Sequence, residues 1–263
     1  MPGLHGEHHA GADSSMHGAV PDNAPEIYHF AEVPSCLDTA FELAVAGRLH
    51  VWESVLAASQ TAGRGQLRRH WHSPPGNIYA ALRLPVSPPF DGGAAAVCVG
   101  VLTAEALGAL GWRADIKWPN DLVLDAPGAP RKVAGILLEE RGGILLAGIG
   151  VNVVSRPPDA LLRADAALPA TSLAEHGGAL PAPELWEHLV SGMISAYTDP
   201  HIFGRTWRHR AEARLLWRGR EVVVTDGRAA VRGRLAGLWP SGALRLETGR
   251  EALECTGGSL RPV

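Results

Sequence analysis

Of the 24 basic residues in this chain only two, Lys117 and Lys132, are lysine. Arg replaces Lys where only surface charge matters, but not where a compact ammonium must sit at one position. Both lysines fall in one short stretch, which marks that stretch for chemistry. Lys117 opens the run Lys117-Trp118-Pro119-Asn120-Asp121. A Pro-Asn-Asp sequence forces a sharp turn. It leaves an ammonium, an amide and a carboxylate close together at the end of a strand. Lys132 belongs to Arg131-Lys132-Val133-Ala134-Gly135-Ile136, a basic pair entering an apolar strand.

Two glycine-bearing segments accompany them. The first runs Gln60-Thr61-Ala62-Gly63-Arg64-Gly65-Gln66-Leu67-Arg68-Arg69-His70-Trp71. Its glycines allow close backbone approach, its arginines offer planar forks for carboxylate or phosphate, and its Trp can stack a base. It is neither a Gly-Lys-Ser/Thr phosphate loop nor a dinucleotide fingerprint. The second is Gly148-Ile149-Gly150-Val151-Asn152. Glycines inside a strand signal a bulge or a ligand lying against the backbone, with tight sheet packing as the simple alternative.

The elements that must position these residues follow from periodicity and turn signals. Strands are expected over 27–33, 50–59 and 77–84. A helix is expected over 37–46, with Ser35 as N-cap and Gly47 as its stop. Residues 61–76 read as a polar loop. Ala-rich residues 94–110 suit a buried helix. Short strands at 115–118 and 122–124 flank the Pro-Asn-Asp break, and 133–139 with 144–154 read as a hairpin turning at Gly142–Gly143. Helices follow over 183–197 and 203–214. After Trp217 the chain breaks into short Gly-punctuated segments (221–224, 229–235, 242–246 and 251–255), which suit a small antiparallel barrel of about 45 residues.

Composition bounds the rest. The 263 residues suit one ordinary domain plus a small one. Hydrophobic residues at 46% and charged ones at 19% describe a globular chain. The net charge of −3 argues against a globally basic nucleic-acid binder. No apolar run reaches the length of a membrane span, and nothing at the N-terminus reads as a signal peptide. Cys36, Cys98 and Cys255 are widely spaced and odd in number, suggesting neither disulfides nor zinc. A cytoplasmic setting is expected. Residues 1–24, rich in Gly, Ala and His, read as a disordered tail whose histidines are solvated.

Taken in order, the four motifs closely resemble the catalytic region of the biotin protein ligases, from about Ile27 to the C-terminus. The Lys-Trp-Pro-Asn-Asp box and the Lys-hydrophobic-Ala-Gly-Ile strand carry most of that specificity. The resemblance implies an α+β fold: a class II synthetase-like catalytic domain over 25–215, with a central mixed β-sheet flanked by helices, and a C-terminal SH3-like barrel over 216–263. It also implies a two-step reaction. Biotin and Mg·ATP give biotinyl-5'-AMP, and a lysine of a biotin carboxyl carrier protein or domain then takes the acyl group. The type implied is one without an N-terminal DNA-binding domain, with no DNA and no membrane partner. A free sheet edge could accept a strand from the carrier or from a second copy, a homodimer.

The resemblance also implies roles. Lys132 and Arg64 would flank the biotin carboxylate and the α-phosphate, and Asp121 would orient or deprotonate the acceptor lysine. Biotin contacts would come from Ser35, Cys36, Leu37 and Gln60, from the loop Gly63-Arg64-Gly65-Gln66, and from Lys132, Gly135 and Gly150. ATP contacts would come from Arg64, Arg69, Trp71, Lys117, Asn120, Lys132 and Asn152, with Mg2+ carried on the phosphates. Three departures from the family pattern stand out. Its Ser-Thr-Asn triplet reads Ser35-Cys36-Leu37, which weakens hydrogen bonding to a ring. Its second loop Arg is Gln66, which has no charge to retain an adenylate. Residues 126–130 are an insertion. Alternative readings are a lipoate or octanoate ligase on the same fold, or a binding protein with little turnover.

Overall fold

The computed structural model describes residues 24–66, 69–158, 168–178, 180–227 and 229–263. The expected tail, but for its last residue, lies outside them. The central sheet has seven strands: β1 (Ile27–Val33), β2 (Ser54–Gln60), β3 (Ile78–Leu84), β4 (Ala114–Lys117), β5 (Asp121–Leu124), β6 (Arg131–Arg141) and β7 (Ile144–Val151). Their order is β1-β2-β3-β7-β6-β5-β4. Only β1 and β2 run parallel, and every other neighbouring pair is antiparallel, so the sheet is mixed.

Helices cover both faces. On one lies α2 (Ala95–Ala109), packed against α3 (Ala182–Tyr197) and α4 (Pro200–Ala213). α2 is buried almost all round, as its continuous apolar sequence requires. On the other face lies α1 (Cys36–Val45), which packs on β2, β3 and β7. The alternation of β7 shows the division. Leu145, Ala147, Ile149 and Val151 join the α2 core, whereas Leu146 joins the α1 core. Gly148 and Gly150 share the face of Leu146, leaving that face bare beside α1.

The last five strands, β8 (Glu221–Thr225), β9 (Ala230–Leu238), β10 (Leu244–Glu247), β11 (Ala252–Cys255) and β12 (Ser259–Pro262), form an antiparallel sheet ordered β11-β10-β9-β8-β12. β11 and β12 are its edges, and no pairing between them closes a barrel among the described residues. Trp118 joins this sheet to the central one, its indole N–H donating to Gly242 O at 2.9 Å.

Most expected elements stand within a few residues of their observed ends. Residues 50–53 form a turn rather than the start of β2. β12, which was not expected, pairs with β8 through four residues ending in Pro. The expected loop after β2 carries backbone bonds of its own. Trp71 N–H donates to Gly63 O and Gly65 N–H to Arg69 O, bringing 63–65 alongside 69–71. Leu67 and Arg68 lie outside the described residues.

Candidate active site

The bare strip of the sheet beside α1 opens into a cavity of about 510 Å³. That falls within the usual range for small-molecule sites. Every expected site residue lines it except Gly63, which is buried within the loop beside Gln60, Trp71 and Ser73.

Its charged centre depends on a β-bulge. β5 and β6 pair Asp121 with Gly135 and Leu122 with Ala134, then Val123 with Lys132, so Val133 is an extra residue. In an unbroken ladder Lys132 would share the core-facing side with Leu122 and Ala134. The bulge turns it to the side of Asp121 and Gly135. There Lys132 Nζ lies 2.5 Å from Asp121 Oδ1, and Lys117 Nζ lies 3.8 Å from Asp121 Oδ2. Two ammonium groups thus converge on one carboxylate. Lys117 is buried at the end of β4. Burial lowers its pKa; Asp121 opposes that shift and Lys132 adds to it.

The turn that holds Asp121 is pinned to β6. Asn120 donates from Nδ2 to Ile136 O at 2.7 Å, and Ile136 N–H donates back to Asn120 O. Asn152 is held likewise, its Nδ2 donating to Thr171 O at 3.0 Å. Residues 169–171 lie along Lys132, with Lys132 N–H donating to Pro169 O and Thr171 N–H to Lys132 O.

Trp71 lies across the glycine floor. A Cβ on Gly150 would come within 2.7 Å of its ring, and one on Gly135 within 2.9 Å. Any side chain there would displace the indole. The ammonium of Lys132 stands 5.1 Å from the centre of the same ring, a cation–π distance. The indole N–H is buried and has no acceptor among the described residues.

The other end of the cavity is less polar. Cys36 donates from Sγ to Tyr79 O at 3.0 Å, and burial pushes its thiol up to about 12. Leu37 rests on Gly148. Gln60 accepts from Cys36 N–H at 2.9 Å and donates to Ser73 Oγ, fixing the first turn of α1. Ser35 occupies the N-cap position, yet its hydroxyl makes no cap bond and accepts from Arg64 instead.

Arg64 is placed differently from a free anion clamp. It bonds Asp38 on α1, Glu139 on β6 and Ser35, and so faces two carboxylates. The sequence reading did not single out Asp38, Glu139, Tyr79 or Ser73, nor Gly258 and Ser259, which reach the cavity rim from the C-terminal sheet. Only the acidic character of Asp38 and Glu139 was visible in advance, and no spacing rule links them to Arg64.

Residues 45–154 match the biotin/lipoate A/B protein ligase family. The chain is similar to the biotin–[acetyl-CoA-carboxylase] ligase of Paracoccus denitrificans, at 35% identity over 76% of this chain and 86% of that relative. It is 31% identical to the bifunctional ligase/repressor BirA of Bacillus subtilis, over 74% of this chain and 61% of that protein. Among solved structures it resembles the biotin protein ligase of Aquifex aeolicus in complex with biotin and ATP. That likeness has a TM-score of 0.74 at 26% identity, covering 90% of this chain and 99% of the other.

Proposed function

The chain belongs to the biotin protein ligase family, and on that premise we propose that it activates biotin as biotinyl-5'-AMP and transfers it to a lysine of a carboxyl carrier domain. The observation that carries this reading is the pair Lys117 and Lys132 converging on Asp121 beside a glycine floor covered by Trp71.

In the first step a biotin carboxylate oxygen attacks the α-phosphorus of Mg·ATP. The bond from that phosphorus to the bridging oxygen breaks, and pyrophosphate leaves. Two anions must approach, so fixed positive charge has to screen them. Lys132 suits the acyl and α-phosphoryl oxygens, because an ammonium on a flexible stem can follow charge as it shifts. Lys117 suits the remaining phosphates. Trp71 offers a face for adenine, with Arg69, Asn120 and Asn152 around it. Mg2+ enters on the phosphates as part of the substrate. Among the described residues no group of three His, Cys, Asp or Glu could hold a metal ion. The apolar end, with Cys36, Leu37, Tyr79 and Gly148, suits biotin's rings and alkyl chain.

In the second step the acceptor amine attacks the acyl carbon, the carbon–oxygen bond to the phosphate breaks, and AMP leaves. A lysine has a reference pKa of about 10.4 and is almost wholly protonated near neutrality. We assign Asp121 as the carboxylate that takes its proton. We read the five-stranded C-terminal sheet, over 216–263, as the family's SH3-like unit beside a catalytic domain over 25–215.

Pyrophosphate exchange into ATP, measured with biotin, octanoate and lipoate in parallel, tests the reading. Exchange that requires biotin supports it. Exchange with another acid transfers the site to a lipoate-type ligase, and saturable binding without exchange makes the chain a binding protein.

A further inference from the structure

A guanidinium has five N–H donors, and Arg64 uses every one. Nε donates to Glu139 Oε1 at 2.8 Å. Nη1 donates to Ser35 Oγ at 3.1 Å and to Asp38 Oδ2 at 2.6 Å. Nη2 donates to Asp38 Oδ1 at 2.7 Å and to Glu139 Oε2 at 3.1 Å. The Asp38 contact is a bidentate fork, the strongest pairing an arginine makes. Arg141 closes the group from outside, bonding both Asp38 and Glu139.

These four charges sum to zero. If Arg64 swung to a substrate oxyanion, Asp38 and Glu139 would face that anion with only Arg141 to balance them. The resulting repulsion opposes the gain from the new contact. The contacts of Arg64 also join three parts of the site: the loop after β2, the N-terminal turn of α1 and strand β6. That turn carries Ser35, Cys36 and Leu37.

We propose that Asp38 and Glu139 are positioning residues: by occupying the guanidinium of Arg64 they dock the Gly63–Gly65 loop on α1 and β6, and leave the screening of substrate oxygens to Lys117 and Lys132. Arg64 acts through the loop it anchors rather than on a reacting atom. The kinetic half of the test rests on the ligase reading, whereas the structural half stands without it.

The variants are Asp38→Asn, Glu139→Gln and Arg64→Ala, alone and combined, with Asp38→Glu as the conservative rescue. Asp38 and Glu139 are only part-buried and lie outside the hydrophobic clusters, and the amide replacements are isosteric, so the core is untouched. Two quantities are read on the full chain: KM and kcat for biotin and ATP in pyrophosphate exchange, and amide hydrogen exchange across residues 63–66. Each carboxylate variant is expected to raise KM roughly tenfold with a smaller change in kcat. Loop amide exchange should quicken, and Asp38→Glu should restore part of both. Arg64→Ala added to the double carboxylate variant should cost less than it costs in the native chain. A lowered KM in Asp38→Asn or Glu139→Gln would show a freed guanidinium reaching the substrate and would overturn the proposal. So would an undiminished Arg64→Ala penalty in the double variant. If the native chain catalyses no exchange with any acid, the ligase reading fails and loop amide exchange still decides the clamp.

Discussion

Lys132 Nζ lies 2.5 Å from Asp121 Oδ1 because strand pairing sets Lys132 opposite Val123 rather than Leu124. The extra residue Val133 is what allows it, since it brings Lys132 to the same side of the sheet as Asp121 and Gly135. The cation, the carboxylate and the bare glycine therefore depend on one irregularity in one ladder.

Neutralising Asp121 should separate the two half-reactions. Asp121→Asn keeps the size of the side chain but removes the proton acceptor. Transfer from preformed biotinyl-adenylate to an acceptor domain should fall by about 10²-fold or more. Adenylate formation should fall less. Single-turnover transfer measured beside pyrophosphate exchange reads the two separately. Equal losses in both would assign Asp121 only to holding Lys132.

The glycine floor can be tested without touching a charge. A Cβ on Gly150 would meet the Trp71 ring at 2.7 Å. Gly150→Ala should therefore displace the indole and weaken ATP binding about tenfold, at a stability cost of about 1–3 kcal/mol. Isothermal titration with ATP and a denaturant melt measure the two effects. Unchanged ATP affinity would remove Trp71 from the nucleotide contacts.

Cys36 should be chemically silent. Its thiol is pushed up to about 12, chiefly by burial, so almost none of it is thiolate at pH 8. Iodoacetamide should leave Cys36 unmodified in the folded chain and alkylate it after denaturation, as peptide mass spectrometry will show. Cys36→Thr should keep the fold and tighten biotin binding, because a hydroxyl is the stronger hydrogen-bonding group.

The Arg64 group carries a defined pH dependence. The bonds from Arg64 hold Asp38 below its ordinary 3.8. Burial works upward on Glu139, but its bonds with Arg64 and Arg141 prevail and hold it below 4.5. Folded values lower than unfolded ones mean stability that is present above the ordinary values and is lost as pH falls through the folded ones. The difference in melting temperature between the native chain and Arg64→Ala should be constant from about pH 6 to 8 and shrink below about pH 4. A difference that persists in acid would contradict the ion-pair account.

Much of this arrangement was legible in the sequence because it is local. The Lys-Trp-Pro-Asn-Asp turn, the glycines of β7 and the continuous apolar run of α2 each declare themselves within a few residues. The bulge at Val133 is different, for it belongs to the pairing of two strands and has no signature in either. The Arg64 clamp was hidden for the same reason. Its partners Asp38 and Glu139 stand 26 and 75 residues away, and the arginine looked free for an anion. β12 escaped because Ser-Leu-Arg-Pro is short, lacks clear alternation and ends in a residue that weakens a strand.

The most direct test of the central claim is biotin-dependent pyrophosphate exchange in the native chain and in Lys132→Ala, with equal unfolding midpoints confirming that both are folded. The account predicts exchange that needs biotin and falls by about 10²-fold or more once the ammonium is gone. Exchange that survives in Lys132→Ala would contradict it and move the reacting oxygens away from the Asp121–Lys132 pair.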